Sequence, residues 1–184
     1  MSDQRNLDLW VIGNCQVSAL IDTEARMVWS CIPRVDGDPL FSSLVSDCDH
    51  ADDDSTGFWS VDLADCVRTE QEYVRNTPIL VTRKYAEDGS AIEITDFCPR
   101  FRQRGRTYRP VAFCRIIRPL VGSPRIAMHL RPTHRWGEAC APTSFGSNHI
   151  TYALDEMAMR LTSDGPIGLI NNGSYLVIPL LKKS

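Results

Sequence analysis

The sequence predicts an all-β protein, an antiparallel β-sandwich with few or no helices. Three observations predict it. Short apolar runs alternate with a period of two, Gly, Pro, Asn and Asp break them every ten or so residues, and few stretches keep helical spacing beyond two turns. At 184 residues, with 43% hydrophobic and 23% charged residues, the chain is long enough for one well-formed core. It reads as a frayed N-terminus, 1–8, followed by a single sandwich domain over 9–184.

Taken in order, residues 15–21 and 26–32 have strand character around a polar break at 22–25, the spacing of a hairpin. The second run leads straight into a stiff, polar loop instead of another strand. From Trp29 to Phe41 it holds two prolines, a glycine, an arginine and two aspartates, and a loop of that kind displays something. Residues 41–45 fit one helical turn, 47–56 an acidic segment, and 57–63 a half-buried strand. Strands are expected at 72–75 and 79–85. A clear hairpin turn at 87–90 then leads into 91–97, where Ile92, Ile94 and Asp96 share a face. The arginine-rich segment 100–109 reads as an exposed loop. Residues 111–120 and 125–131 read as adjacent strands turned at 121–124. After 133–138 the chain is irregular until His149 and closes in four short strands, 149–153, 157–161, 167–170 and 175–180.

Bulk properties exclude several classes. A net charge of −3 and a pI near 5.8 argue against a nucleic-acid partner, which needs a basic face. No apolar run approaches the ~18 residues of a membrane span, and the N-terminus lacks a charged-then-apolar leader, so a cytoplasmic location is the default expectation. Seven widely spaced cysteines without a C-x-x-C pair read as reduced, mostly buried thiols, and His129 and His134 lack ligand spacing, so neither a metal nor another cofactor is expected.

The first functional candidates are Trp29, Arg34 and Asp36. An indole stacks on the C–H face of a pyranose, and planar charged groups take its hydroxyls in pairs. The plainer reading makes Trp29 a core residue and Arg34–Asp36 an internal salt bridge that braces the loop, and both readings can hold together. Trp136, with His134, Arg135 and Glu138, is the second candidate, although no further acid sits at a spacing that ties it to His134. Asp52, Asp54 and Thr56 spell D-x-D-x-T, but the apolar strand that motif needs does not precede them, and a calcium loop would lack its closing glutamate because Leu63 falls there. The arginine run, with Tyr108 interleaved, suits phosphate or an acidic partner surface, and the plainer reading, which is preferred, is a solvated or domain-facing loop.

The runs Ile12-Gly13-Asn14-Cys15, Ser18-Ala19-Leu20-Ile21 and Trp29-Ser30-Cys31-Ile32-Pro33-Arg34-Val35-Asp36, with Phe41 beyond, resemble the opening of bacterial and archaeal glucoamylase and trehalase-like proteins of glycoside hydrolase family 15. That family carries I-G-D-C, then W-x-C-x-P-R-F-D and a phenylalanine. Thr95-Asp96-Phe97-Cys98-Pro99 resembles its second signature, T-D-F-x-P. Ala25 stands where the family has a turn glycine, and a positive φ there would cost roughly 1 kcal/mol. Val35 replaces the phenylalanine of P-R-F-D.

The resemblance implies a supersandwich of the galactose-mutarotase type and a partner, the (α/α)6 barrel that carries the family's catalytic glutamates. No residue of this chain maps onto that pair, so no catalytic residue is assigned here. The domain would pack on the barrel and shape its cleft, with Trp29, Arg34, Asp36, Phe41 and Trp136 as substrate-cleft or domain-interface candidates. The intact protein would cleave α-glucosidic bonds with inversion. The alternative is a stand-alone module that binds α-glucan or trehalose on Trp29, Trp59 or Trp136, and a third reading is a mutarotase-like enzyme. The chain reads as cut near the domain's natural end, so an exposed sheet edge or face, and self-association through it, are expected.

Overall fold

The computed structural model describes residues 7–45, 57–155, 157–170 and 176–178. The acidic segment 47–56 with its D-x-D-x-T pattern lies outside the described residues. So do most of the frayed N-terminus and half of the expected last strand.

The fold is all-β. Its strands are β1 (Trp10–Gly13), β2 (Ser18–Ile21), β3 (Met27–Ile32), β4 (Asp38–Phe41), β5 (Phe58–Leu63), β6 (Cys66–Tyr73), β7 (Leu80–Ala86), β8 (Ala91–Phe97) and the short β9 (Phe101–Gln103) and β10 (Arg106–Tyr108). Then come β11 (Cys114–Val121), β12 (Arg125–Arg131), β13 (Thr133–His134), β14 (Glu138–Ala139), β15 (Pro142–Phe145), β16 (His149–Leu154), β17 (Met157–Thr162) and β18 (Leu176–Val177). One antiparallel sheet runs β1-β2-β3-β5-β12-β18 with β4 joined to β3, a second runs β11-β8-β7-β6, and a third runs β15-β16-β17. The helical turn expected after the loop is a 3-10 turn at Ser43–Val45, and a second such turn, Ile167–Leu169, stands where a strand was expected.

Alternation explains how the first two sheets meet. Ile92, Ile94 and Asp96 on β8 all point inward and are fully buried, as the sequence predicted. With Ala86 the two isoleucines pack against Val61, Leu63 and Ile126 of the first sheet and Ala25 of its β2–β3 turn. A second core region gathers Ile12, Ile21, Met27 and Phe41 against Leu80, Ile150 and Tyr152. On the outer face of the second sheet Arg83 bridges Glu72 at 2.6 Å and Glu93 at 3.1 Å, a solvated ladder that keeps that face polar.

Further expectations need correction, among them the stretch after Glu138, expected to be irregular, which holds β15. The segment after β3 is not loop throughout, because Asp38–Phe41 folds back as β4, antiparallel to β3. Residues 111–120 and 125–131 do not pair with each other: β11 joins β8, β12 joins β5, and the turn between them crosses from one sheet to the other. The arginine segment, expected as a loop, is the β9–β10 hairpin.

Two interactions fasten the sheets. Arg115 on β11 makes a bidentate pair with Asp96, Nε to Oδ1 at 2.7 Å and Nη2 to Oδ2 at 3.0 Å, and its remaining donors reach the carbonyls of Trp59 at 3.0 Å and Ala25 at 2.8 Å in the facing sheet. Both charged side chains are almost wholly buried, at 1% and 0% exposure. The β2–β3 turn is gripped from the second sheet as well. Gln71 Nε2 donates to the Asp22 carbonyl at 2.9 Å, and the buried Lys84 Nζ lies 3.6 Å from Glu24 and donates to the Val61 carbonyl at 3.1 Å.

That grip accounts for Ala25, which stands at φ +60° where glycine would be unstrained. Its methyl is fully buried among Val61, Leu63 and Ile92. Ala25→Gly should relieve about 1 kcal/mol of left-handed strain while giving up about 0.8 kcal/mol of methyl burial and loosening the unfolded chain. Urea unfolding should therefore place the variant within about 1 kcal/mol of the parent.

Candidate interaction site at the loop end of the sandwich

Strand β3 ends at Ile32, a cis Ile32–Pro33 bond follows, and residues 34–37 turn tightly into β4. The turn closes through Gly37 N–H to the Arg34 carbonyl at 3.0 Å. A Cβ on Gly37 would come within 2.6 Å of the Ile32 carbonyl oxygen, so the close approach requires glycine. On the outside of this turn Arg34 and Asp36 pair through two hydrogen bonds of 2.9 Å each. Both side chains are largely exposed, and the Arg34 hydrogen bond holds the Asp36 carboxyl below the usual carboxylate range.

The other half of the site is the turn between β13 and β14. Arg135 and Trp136 both have positive φ, +45° and +63°, which no sequence rule for arginine or tryptophan anticipates. Asp38 from β4 holds them there: its carboxylate accepts the Arg135 backbone N–H and, at 3.2 Å, the Trp136 N–H. Asp155 clamps the Arg135 guanidinium at 3.0 Å to Nε and 2.8 Å to Nη2. The Trp136 indole projects from this braced turn 72% exposed, with the Trp29 ring 6.4 Å away and tilted by 52°.

Between the β3–β4 turn and the 133–138 segment lies an open cleft of about 630 Å³, lined by Pro33, Asp38, His134, Arg135, Leu154 and Asp155 among others. A second, shallower hollow of about 470 Å³ sits on the other side of the turn, beside Cys15, Gln16, Arg34 and Asp36. His134 stands between two carboxylates, with Nδ1 3.5 Å from Asp155 and Nε2 3.8 Å from Glu138. Its Nδ1 is buried and makes no hydrogen bond. The cleft's carboxylates are otherwise committed, Asp38 to two backbone N–H groups and Asp155 to a guanidinium.

The structure thus brings Trp29 together with Trp136, and Arg34 with Asp36. Phe41 is elsewhere: 1% exposed, it packs on Phe113 in the core at 6.5 Å, so as it lies it offers no surface to a cleft. Trp59 is half-buried beneath the Arg115 guanidinium, 5.0 Å from its ring. Sequence reasoning missed Asp38 and Asp155 as organisers of the Trp136 turn. Asp38 lies in the loop singled out for display, whereas nothing local marks Asp155, which reaches the turn only through tertiary pairing. Among the described residues no group of three or more potential ligands could hold a metal ion, six cysteines are free thiols, and no helix is long and apolar enough to cross a membrane.

The family model described as trehalase-like, N-terminal, matches residues 6–173. The chain belongs to that family. The trehalase of Thermoplasma volcanium is 23% identical to it over 159 residues, covering 85% of this chain and 24% of that protein. This trehalase-like N-terminal domain therefore spans about a quarter of the length of the curated relative it matches. No solved structure matches the chain.

In the trehalase-like domain the two signature runs have structural work that can be named. Asn14 of the first donates through Nδ2 to the carbonyls of Pro99 and Pro110, both at 2.9 Å, while its Oδ1 accepts from the N–H groups of Gln16 and Val17. Asp96 of the second is the buried partner of Arg115.

The Asp155 clamp predicts a pH response. The Arg135 hydrogen bond, foremost, holds the Asp155 carboxyl below its ordinary value of 3.8. A depressed folded value means that the contribution is complete above the unfolded value and is lost as pH falls through the folded one. A carboxyl carbon-13 titration should place the Asp155 midpoint below 3.8, and Arg135→Ala should return it towards that value.

Proposed function

We propose that this chain is the non-catalytic N-terminal domain of a glucoamylase or trehalase-like glycosidase of glycoside hydrolase family 15. It packs on a catalytic (α/α)6 barrel and shapes that barrel's substrate cleft with the loop end of the sandwich. One observation carries this reading: the Asp38–Arg135–Trp136 turn is braced at every polar atom named above, yet its indole is left open to solvent beside Trp29 and the β3–β4 loop. Rigid, exposed tryptophan next to arginine is what anchors contacts between protein surfaces. The same bracing speaks against chemistry in the cleft. Inversion needs one protonated and one ionised carboxyl facing each other across roughly 6.5–9.5 Å. Asp155, held low by Arg135, is the opposite of a poised acid.

The intact protein would hydrolyse α-glucosidic bonds, trehalose among them, with inversion of configuration. The free outer edges of β15 and β17 among the described residues, together with the exposed Phe145, give the isolated domain a surface for self-association, which light scattering against concentration reads directly.

A second reading, a stand-alone α-glucan or trehalose module, is favoured only by the Trp29–Trp136 pair. Calorimetric titration of the chain with trehalose, maltose and longer α-glucans separates the two. Silence is expected, whereas millimolar or tighter binding abolished by Trp29→Ala or Trp136→Ala would establish the module. In the longer protein, Trp136→Ala should lower kcat/KM for trehalose or maltose, and an unchanged value would remove the loop end from the cleft.

A further inference from the structure

The β9–β10 hairpin has features that a solvated loop does not require. Between residues 97 and 137 the chain carries ten arginines and neither an acid nor a lysine, leaving the other residues with ten cations against 23 acids. Five of the arginines lie between 100 and 109. None of Arg102, Arg104, Arg106 and Arg109 has a carboxylate partner among the described residues, and every residue of both strands is exposed.

The hairpin is nevertheless built rigidly. Gln103 pairs with Arg106 around a two-residue turn in which Arg104 and Gly105 have φ of +50° and +75°, the mirror-image turn that suits the twist of paired strands. At its base the Asn14 amide bonds the carbonyls of both Pro99 and Pro110, tying the two stems to the body of the sandwich. Arg100 adds a contact from Nη1 to the Cys15 sulfur at 3.4 Å. On one face Phe101 and Tyr108 stack at 5.5 Å and 14° while remaining 48% and 40% exposed.

We propose that this hairpin is a preorganised docking element for an acidic polypeptide surface. On the reading given under Proposed function, that surface belongs to the catalytic domain. The composition distinguishes a protein partner from solvent: interfaces favour arginine, tyrosine and phenylalanine and are depleted in lysine, whereas solvated basic loops carry lysine freely. The overall charge of −3 disfavours nucleic acid, because the long-range field of the molecule repels a polyanion even where the hairpin attracts it. The chain spans about a quarter of the relative's length, and on the reading above a fixed cationic hairpin without carboxylate partners among the described residues suits contact with the remaining chain.

The test uses the nitrogen-15-labelled chain titrated with poly-L-glutamate, and in parallel with inorganic polyphosphate and single-stranded DNA, at low and physiological salt. Expected are saturable shifts centred on residues 100–109 with poly-L-glutamate, weakened at least about tenfold by Arg102→Ser/Arg106→Ser/Arg109→Ser and separately weakened by Phe101→Ala/Tyr108→Ala. Tighter binding of polyphosphate or DNA overturns the proposal in favour of a phosphate-binding hairpin. Indifference to loss of the aromatic pair reduces it to unspecific charge attraction, and shifts elsewhere or none remove it. Poly-L-glutamate involves no catalytic domain, so a negative result leaves the packing role intact, while silence of the longer protein in glycosidase assays leaves the hairpin result standing.

Discussion

Asp96→Ala should lower the unfolding free energy by about 3–5 kcal/mol, read as a fall in the urea midpoint at unchanged slope. In a domain whose whole stability is about 5–15 kcal/mol, that is enough to leave a measurable unfolded fraction on warming. The cost arises because Arg115 would keep its bonds to the Trp59 and Ala25 carbonyls but lose both oxygens of its only anion while buried. Arg115→Met should be of similar size, since it strands the Asp96 carboxylate and frees two carbonyls of the facing sheet. The double variant Asp96→Leu/Arg115→Met should recover much of the loss, because two apolar groups leave no uncompensated charge. The Arg34–Asp36 pair supplies the control. Its geometry is as good, at 2.9 Å for each bond, but it stands in solvent, where screening leaves little net gain, so Asp36→Ala should not shift the midpoint measurably. Equal effects at the two sites would mean that the buried pair does not fasten the sheets.

The same comparison shows what could be read from the chain alone. Local signals were sufficient for hairpins: the turn at 87–90 is closed by Gly89 at φ +80° and by the Asp88 carboxylate accepting the Ser90 N–H at 2.8 Å, both visible as residue types in the sequence. The inward row Ile92, Ile94, Asp96 followed from alternation. Sheet membership did not follow, because β-propensity is local whereas the pairing of β11 with β8, from Cys114 opposite Phe97 to Val121 opposite Ala91, is set by the tertiary fold, with the buried Arg115–Asp96 pair as one of its contacts. Strand β4 was hidden because its aspartate and proline carry loop chemistry and its pairing depends on β3. Most of β6 was hidden because an edge strand with exposed charges shows little alternation. At the site, Arg34 and Asp36 are two residues apart and could be paired by inspection. Asp38 with Trp136, and Asp155 with Arg135, meet only after the sheets have assembled, so neither left a mark at the sequence level. Phe41 ends a motif noted for display, yet in this domain β4 is buried on both faces from Pro39 to Phe41 and the ring packs beside Phe113.

Asn14→Asp should destabilise the protein by about 2–4 kcal/mol, although it would restore the aspartate of the family pattern that Ile12 to Cys15 resembles. Asn14 is 2% exposed, and both of its amide hydrogens are spent on the Pro99 and Pro110 carbonyls. A carboxylate in the same place keeps the bonds to the Gln16 and Val17 N–H groups but turns its second oxygen towards two carbonyls, leaving three acceptors without a donor. The sign of the pH dependence follows. Facing carbonyl oxygens raises the folded pKa of the introduced carboxyl, and in its protonated form it can donate one of the two lost bonds. The gap to the parent protein should therefore be narrow at acid pH and widen as pH rises through the folded pKa, the reverse of the dependence expected at Asp155. Hydrogen exchange should locate the damage: amides of β9 and β10 should exchange faster while those of β7 and β8 change only by the global loss, because Asn14 holds the base of the arginine hairpin and not the sheet beneath it. Unchanged stability with unchanged exchange in the hairpin would show that the clamp is not made by the amide. A uniform rise in exchange would show that the hairpin and the sandwich open as one unit, in which case the docking element is held by the whole fold and not by this residue.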